Sequence, residues 1–249
     1  MIQTDEAIVL KRRDLRETSL YLVFYTKGFG KICGVMKGVR GQRGQYSATP
    51  QLFTLNEIVF YENRAKDIFI VSGCELRDFF APIREDLEKT SYASYFVELI
   101  NSLSPACEKN TQMFELLSNS LRLLCGSASV KRVARVFEIK LLALLGLMPQ
   151  LESCVGCGSE KLSRNTFFSL KNGGVVCEPC AQKEKNCLPI STGSLNFMGH
   201  ISRSSWELVP RIKVSAEVGR EIEQVLRRFF DYHLDLRPKS VEFMRKALV

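Results

Sequence analysis

Apolar residues recur along this chain with two different periods. Between Ala7 and Cys74 they fall at every second position, as in strands that bury one face against a core. Ser19–Thr26 shows it best: Leu20, Leu22 and Phe24 share one face, and Tyr21, Val23 and Tyr25 the other. The same pattern predicts strands over Ala7–Arg13, Lys31–Lys37, Phe53–Tyr61 and Asp67–Cys74. Lys27-Gly28-Phe29-Gly30 is the turn between two of them, and Gly34 marks a candidate bulge. Beyond Pro82 the spacing becomes three and four, and helix formers dominate. Helices are predicted over Leu87–Leu103, Thr111–Cys125 and Val130–Leu147. In the last, Phe137, Leu141, Leu144, Leu145 and Met148 make a buried face, which Gly146 and Pro149 bring to an end. A short helix over Ser191–His200 opens on a Ser cap. A long one over Ala216–Leu236 turns Val218, Ile222, Leu226, Phe229 and Phe230 inward, with Pro238 after it.

Five short strands joined by tight turns suit a small closed barrel. The OB-fold is the five-stranded barrel that binds nucleic acid, although strand count alone also allows an SH3-like barrel. The predicted architecture is multidomain α+β: an OB barrel over residues 1–79, then an α-helical domain over 80–249. Gly38–Ser47, rich in Gly, Gln and Arg, has no apolar period and reads as a loop.

The helical pattern is interrupted over residues 151–188, where a different chemistry takes over. Cys154-Val155-Gly156-Cys157-Gly158 and Cys177-Glu178-Pro179-Cys180 are two C-x-x-C pairs at the spacing of a four-cysteine zinc site. Thr166–Leu170, an Asn172-Gly173 turn and Val175-Val176 lie between them and predict a β-hairpin. Knuckle, hairpin, knuckle is the layout of a zinc ribbon, with Cys154, Cys157, Cys177 and Cys180 as ligands. A redox dithiol needs one such pair, near a βαβ pattern. A catalytic zinc keeps a coordination position open, which four thiolates do not. A zinc deaminase needs H-x-E ahead of its cysteines, but His200 and His233, the chain's two histidines, both lie after them. The metal is therefore expected to be one structural zinc.

The chain carries a formal net charge of +8, and its distribution is uneven. Residues 11–43 hold nine Lys/Arg against Asp14 and Glu17, so the rest of the chain is nearly neutral. Such a cluster is a footprint for a polyanion. The candidate phosphate contacts are Lys11, Arg12, Arg13, Arg16, Lys31, Lys37, Arg40 and Arg43. Tyr21, Tyr25 and Phe29 are candidate platforms for base stacking. Glu17, Thr18 and Ser19 are expected to form a local turn. Nine cysteines, an odd number in a long chain with four assigned to metal, fit a reducing cytoplasm. Cys33, Cys74, Cys107, Cys125 and Cys187 read as small buried hydrophobes or bystanders. No run approaches the ~18 apolar residues of a membrane span, and no signal peptide is visible. There is no phosphate loop or dinucleotide fingerprint, so the chain is not expected to be an enzyme. Two other classes stay open: a zinc-ribbon and barrel module gripping RNA or DNA in transcription or translation, and a metal-dependent hydrolase or nuclease.

The chain resembles the RecO family of bacterial DNA repair and recombination mediators. Four stretches carry the likeness. Ala7-Ile8-Val9-Leu10 is followed by Arg16-Glu17-Thr18-Ser19-Leu20. Tyr25-Thr26-Lys27-Gly28-Phe29-Gly30-Lys31 leads to Met36-Lys37-Gly38-Val39-Arg40. Phe137–Leu147 precedes Cys154-x-x-Cys157-Gly158. Leu226–Leu234 precedes Lys239-Ser240. Arg237-Pro238 and Val241 depart from the family's pattern near the C-terminus. The resemblance implies an OB domain, a helical domain and an embedded zinc ribbon. It implies binding of single- and double-stranded DNA, annealing of complementary strands, and loading of RecA onto coated single strands. The implied partners are RecR and the C-terminal tail of single-strand-binding protein, with RecA reached indirectly. The implied location is the bacterial cytoplasm, with the nucleoid.

Overall fold

The structure is a computed structural model that describes residues 1–15, 17–39, 49–61, 68–161, 165–234 and 236–247. The alternating segments form β1 (Ile2–Leu15), β2 (Ser19–Thr26), β3 (Gly30–Met36), β4 (Leu55–Tyr61) and β5 (Ile68–Asp78). They close into a barrel in the order β1-β2-β3-β5-β4, as expected of an OB-fold. Closure rests on a parallel β3–β5 pairing from Cys33↔Ile68 to Val35↔Ile70. β1 is longer than its pattern predicts because it serves two neighbours. Ile2–Ile8 pairs with β4 and Ala7–Leu15 with β2, and a bulge near Leu10 lets it bend between them. The interior takes one face of each strand: Ala7, Val9, Leu20, Leu22, Phe24, Ile32, Met36, Ile58, Phe60 and Val71 all have little or no exposure.

Chain packing divides the molecule into two compact units, 1–128 with 238–249, and 129–237. The first unit joins the barrel to the helices that follow it in the chain, which pack on it. The first unit adds α1 (Ala81–Arg84), α2 (Leu87–Leu103) and α3 (Thr111–Gly126). Asp86 caps α2 by accepting from the Lys89 amide (3.0 Å), and Asn110 caps α3 by accepting from that of Met113 (3.0 Å). The segment between these helices lies along β3, where the Cys107 amide donates to the Lys31 carbonyl (2.8 Å). This contact covers one end of the outer β2–β3 surface. Tyr25 is therefore buried although it points away from the barrel core, and its hydroxyl reaches the Asn110 carbonyl (3.5 Å).

The second unit begins with α4 (Val130–Leu144). It stops short of the predicted Leu147, where the Leu147 amide turns back to the Leu142 carbonyl (2.9 Å). The ribbon follows: β6 (Thr166–Ser169), β7 (Gly174–Cys177), α5 (Glu178–Ala181) and β8 (Leu188–Pro189). β6 pairs with β7 as the predicted hairpin and with β8 on its other edge. α6 (Thr192–Arg203) and α7 (Ala216–Leu234) complete the unit. Ser191 caps α6 as predicted, and Glu221 of α7 accepts the Ser191 amide (2.6 Å), joining the two helices. Finally α8 (Lys239–Ala247) belongs to the first unit. Its N-terminus is held by Glu98 of α2, which accepts from the amides of Lys239 and Ser240 (both 2.9 Å).

Candidate metal centre and candidate nucleic-acid interface

In the second unit the four predicted thiols converge. The Sγ atoms of Cys154, Cys157, Cys177 and Cys180 all lie within 4.8 Å of one another. Cys177 Sγ stands 3.6 Å from that of Cys154 and 3.8 Å from that of Cys157. Ligands about 2.3 Å from a tetrahedral metal sit about 3.8 Å apart, so the cluster has the dimensions of a closed four-thiolate site. Local geometry builds it. Gly158 adopts φ +75°, which closes the first knuckle through its amide onto the Cys154 carbonyl (2.8 Å). A side-chain carbon at Gly156 would stand 3.0 Å from Cys180 Sγ, a tight contact that would press the two knuckles apart by a few tenths of an ångström.

Protonation differs across the cluster. Burial pushes the Cys154 thiol up, but the amides of Cys177, Cys157 and Gly156 together outweigh it and bring it down to about 6. The Cys177 amide stands 3.3 Å from Cys154 Sγ. Cys180 is pushed up to about 12, first by its hydrogen bond with Cys177 and then by burial. Cys187 lies outside the cluster. The ribbon is also packed into its unit. Phe168 is fully buried, edge-on to Phe229 of α7 with ring centroids 5.8 Å apart. His233 Nε2 donates to the Leu170 carbonyl (2.8 Å) and its ring rests on Phe229. His233 thus has a packing role.

The basic cluster belongs to the barrel, and the structure sorts its members. Lys11 and Arg13 stand in register with Val23 and Tyr21 on the barrel's outer surface. Arg12 pairs with the core residue Leu22 and so lies on the opposite face of β1. Lys37 is exposed just after β3, where it lines an open depression with Glu17, Thr18, Ser19 and Gly38. The turn read as purely local thus shares a surface with a candidate phosphate contact. Arg16, Arg40 and Arg43 lie outside the described residues.

Three sequence expectations are corrected here. Lys31 is half-buried and donates to the Asn101 carbonyl of α2 (2.7 Å); burial lowers its pKa, so it fastens helix to barrel instead of facing a ligand. Tyr25 is 1% exposed and cannot offer a face to a base. Phe29 packs against the barrel core, perpendicular to Phe60 with centroids 5.2 Å apart. Alternation alone could not reveal that the helical segment covers Tyr25 and Lys31. Tyr21 alone of the three aromatics keeps a position on the open outer surface. Its phenol is pushed up to about 12, first by a hydrogen bond with the Cys33 side chain and then by burial.

Comparison with known proteins agrees with this architecture. The family profile Recombination protein O N terminal matches residues 1–80, and Recombination protein O C terminal matches residues 84–242. The chain is similar to the DNA repair protein RecO of Desulforamulus reducens, at 34% identity over 96% of this chain and 92% of the relative. It is similar to that of Alkaliphilus metalliredigens, at 30% over 99% and 100%. It is also similar to that of Pelotomaculum thermopropionicum, at 34% over 96% and 92%.

Proposed function

This chain belongs to the Recombination protein O family of DNA repair proteins, and on that premise we propose that it is a non-enzymatic DNA-binding mediator. It binds single- and double-stranded DNA and anneals complementary strands. With RecR it helps load RecA onto single strands coated by single-strand-binding protein, whose C-terminal tail it recognises. It works in the cytoplasm, and its four-cysteine centre holds one structural zinc.

The observation that carries this reading is the placement of Lys11 and Arg13 on the outer surface of an OB barrel, beside Tyr21. Neither cation forms an ion pair with another described residue. Annealing brings two polyanions together, and cations that displace counterions from both lower their repulsion. Four thiolates leave a metal no open position for water, which supports a structural and not a hydrolytic centre. The test is annealing of complementary oligonucleotides coated with single-strand-binding protein. The reading expects acceleration by the full chain without strand cleavage. No acceleration, or cleavage that depends on added metal, overturns it; stronger competition by RNA than by single-stranded DNA would move the protein to RNA metabolism.

A further inference from the structure

The four-thiol cluster is brought together by backbone bonds that need no metal. Ahead of the first knuckle, the Gln150 amide donates to the Gly173 carbonyl (3.0 Å), and the Val175 amide to the Gln150 carbonyl (2.8 Å). Inside the knuckle, the Val155 amide donates to the Val175 carbonyl (2.9 Å). Residues 150–155 are thus folded against the start of β7, the strand that ends in Cys177. Gly174 permits the approach, since a side-chain carbon there would stand 2.8 Å from the Gln150 carbonyl oxygen and 2.6 Å from the Val155 side chain. These contacts hold the thiols in range of one another whether or not an ion joins them.

The four cysteines differ in access. Cys154 is buried, Cys177 and Cys180 are half-buried, and Cys157 is exposed. An oxidant therefore meets Cys157 first. The Sγ atom 3.8 Å from that of Cys157 belongs to Cys177, on the other knuckle. The two thiols that remain, Cys154 and Cys180, also come from different knuckles and lie within the same 4.8 Å. Cys187 is no competitor. It precedes Leu188, which pairs with Phe168, so it lies toward the hairpin turn, whereas Cys177 stands level with Thr166 at the hairpin's base.

We propose that the cluster is a reversible, peroxide-sensitive metal-release site, in which a Cys157–Cys177 disulfide closes first and a Cys154–Cys180 disulfide second, so that the oxidised ribbon keeps its fold without metal. The proposal rests on the metal-centre reading above and adds a redox response to it. In the first step the Cys157 thiolate attacks one oxygen of hydrogen peroxide; the O–O bond breaks, hydroxide leaves, and the sulfur becomes a sulfenic acid. The Cys177 thiolate then attacks that sulfur, the S–S bond forms and a second hydroxide leaves. Two protons from solvent turn both hydroxides into water. The two sulfurs have given up two electrons, and the peroxide has taken them. A second peroxide does the same to Cys154 and Cys180. Four thiolates, two peroxides and four protons thus yield two disulfides and four waters, and no thiolate is left to hold a metal. Bonds within a knuckle would leave the two knuckles untied. Bonds between knuckles replace the link that the metal supplied.

The test uses the full-length chain loaded with zinc, with a chromophoric zinc indicator in solution. Hydrogen peroxide is added in steps, and disulfides are mapped by mass spectrometry of unreduced peptides. The expected result is loss of the bound zinc, with two peroxides consumed for each zinc released and Cys157–Cys177 as the first bond. Dithiothreitol followed by zinc should restore the loaded chain. Cys107→Ser, which removes an exposed thiol outside the cluster, should release zinc as the parent does. Hydrogen exchange should find residues 166–177 of the oxidised chain still protected, and the same residues unprotected in Cys154→Ser/Cys177→Ser. Zinc retained while other cysteines oxidise, a first bond within either knuckle, or an oxidised chain as unprotected as the serine variant overturns the proposal and leaves the metal centre standing. A reduced chain that binds no zinc overturns both.

Discussion

At the residue scale, neighbours in sequence carry different duties. Lys11 and Arg13 share the outer face of β1, whereas Arg12 between them pairs with Leu22 of the core. Lys11→Ala/Arg13→Ala should weaken single-stranded and duplex DNA alike. The plot of log affinity against log salt should lose about one unit of slope per phosphate contact removed. Arg12→Ala, measured the same way, should change the slope less. The cysteines give a pH prediction. A metal takes thiolates, so binding must displace protons from thiols that keep them. Cys180, held at about 12, keeps its proton at neutral pH, while Cys154, at about 6, has already lost its own. Metal affinity should therefore fall as pH falls, and more steeply below about 6, where Cys154 also takes up a proton. Titration with a competing chelator between pH 8 and 5 reads this directly.

At the element scale, the ribbon is more than a decoration on its unit. Phe168, Val175 and Val176 are buried, and Phe168 meets Phe229 of α7. Cys154→Ser/Cys177→Ser should thus abolish metal binding and loosen α7 as well as the ribbon. Hydrogen exchange should rise across 166–177 and 216–234, with barrel strands 2–26 unaffected. The elements themselves were largely legible: β2 and α2 run over the residues their patterns predict, because one apolar face fixes each. β8 was not legible, being two residues long with a proline, and it exists only because β6 offers it an edge. The convergence of the four cysteines, which could hold a metal ion, was legible in full, since their spacing is itself the cluster. The candidate nucleic-acid interface was legible only in part. Charge marked the barrel as the candidate, but burial by a helical segment withdrew Lys31 and Tyr25, and barrel closure set Phe29 against Phe60. No local pattern encodes either event.

At the scale of the whole molecule, the chain leaves the first unit at Ser129 and re-enters it at Pro238. The return is fastened by Glu98, which accepts from two backbone amides at the start of α8 and from the Ser240 hydroxyl (2.6 Å). A carboxylate at a helix N-terminus also meets the positive end of its dipole. Glu98→Ala should cost the first unit about 1–2 kcal/mol. Urea unfolding followed by hydrogen exchange should show lost protection at 239–247 and unchanged protection at 216–234.

That clasp has a consequence for how the protein is made. Domains emerging from the ribosome fold as soon as their residues are available. The barrel can close early, but α2 must wait for its last neighbour until the intervening unit has been translated and residues beyond Pro238 have left the exit tunnel. A nascent chain halted anywhere in that interval would carry a finished barrel on an unfinished body, and cellular proteases would find the unfinished part first.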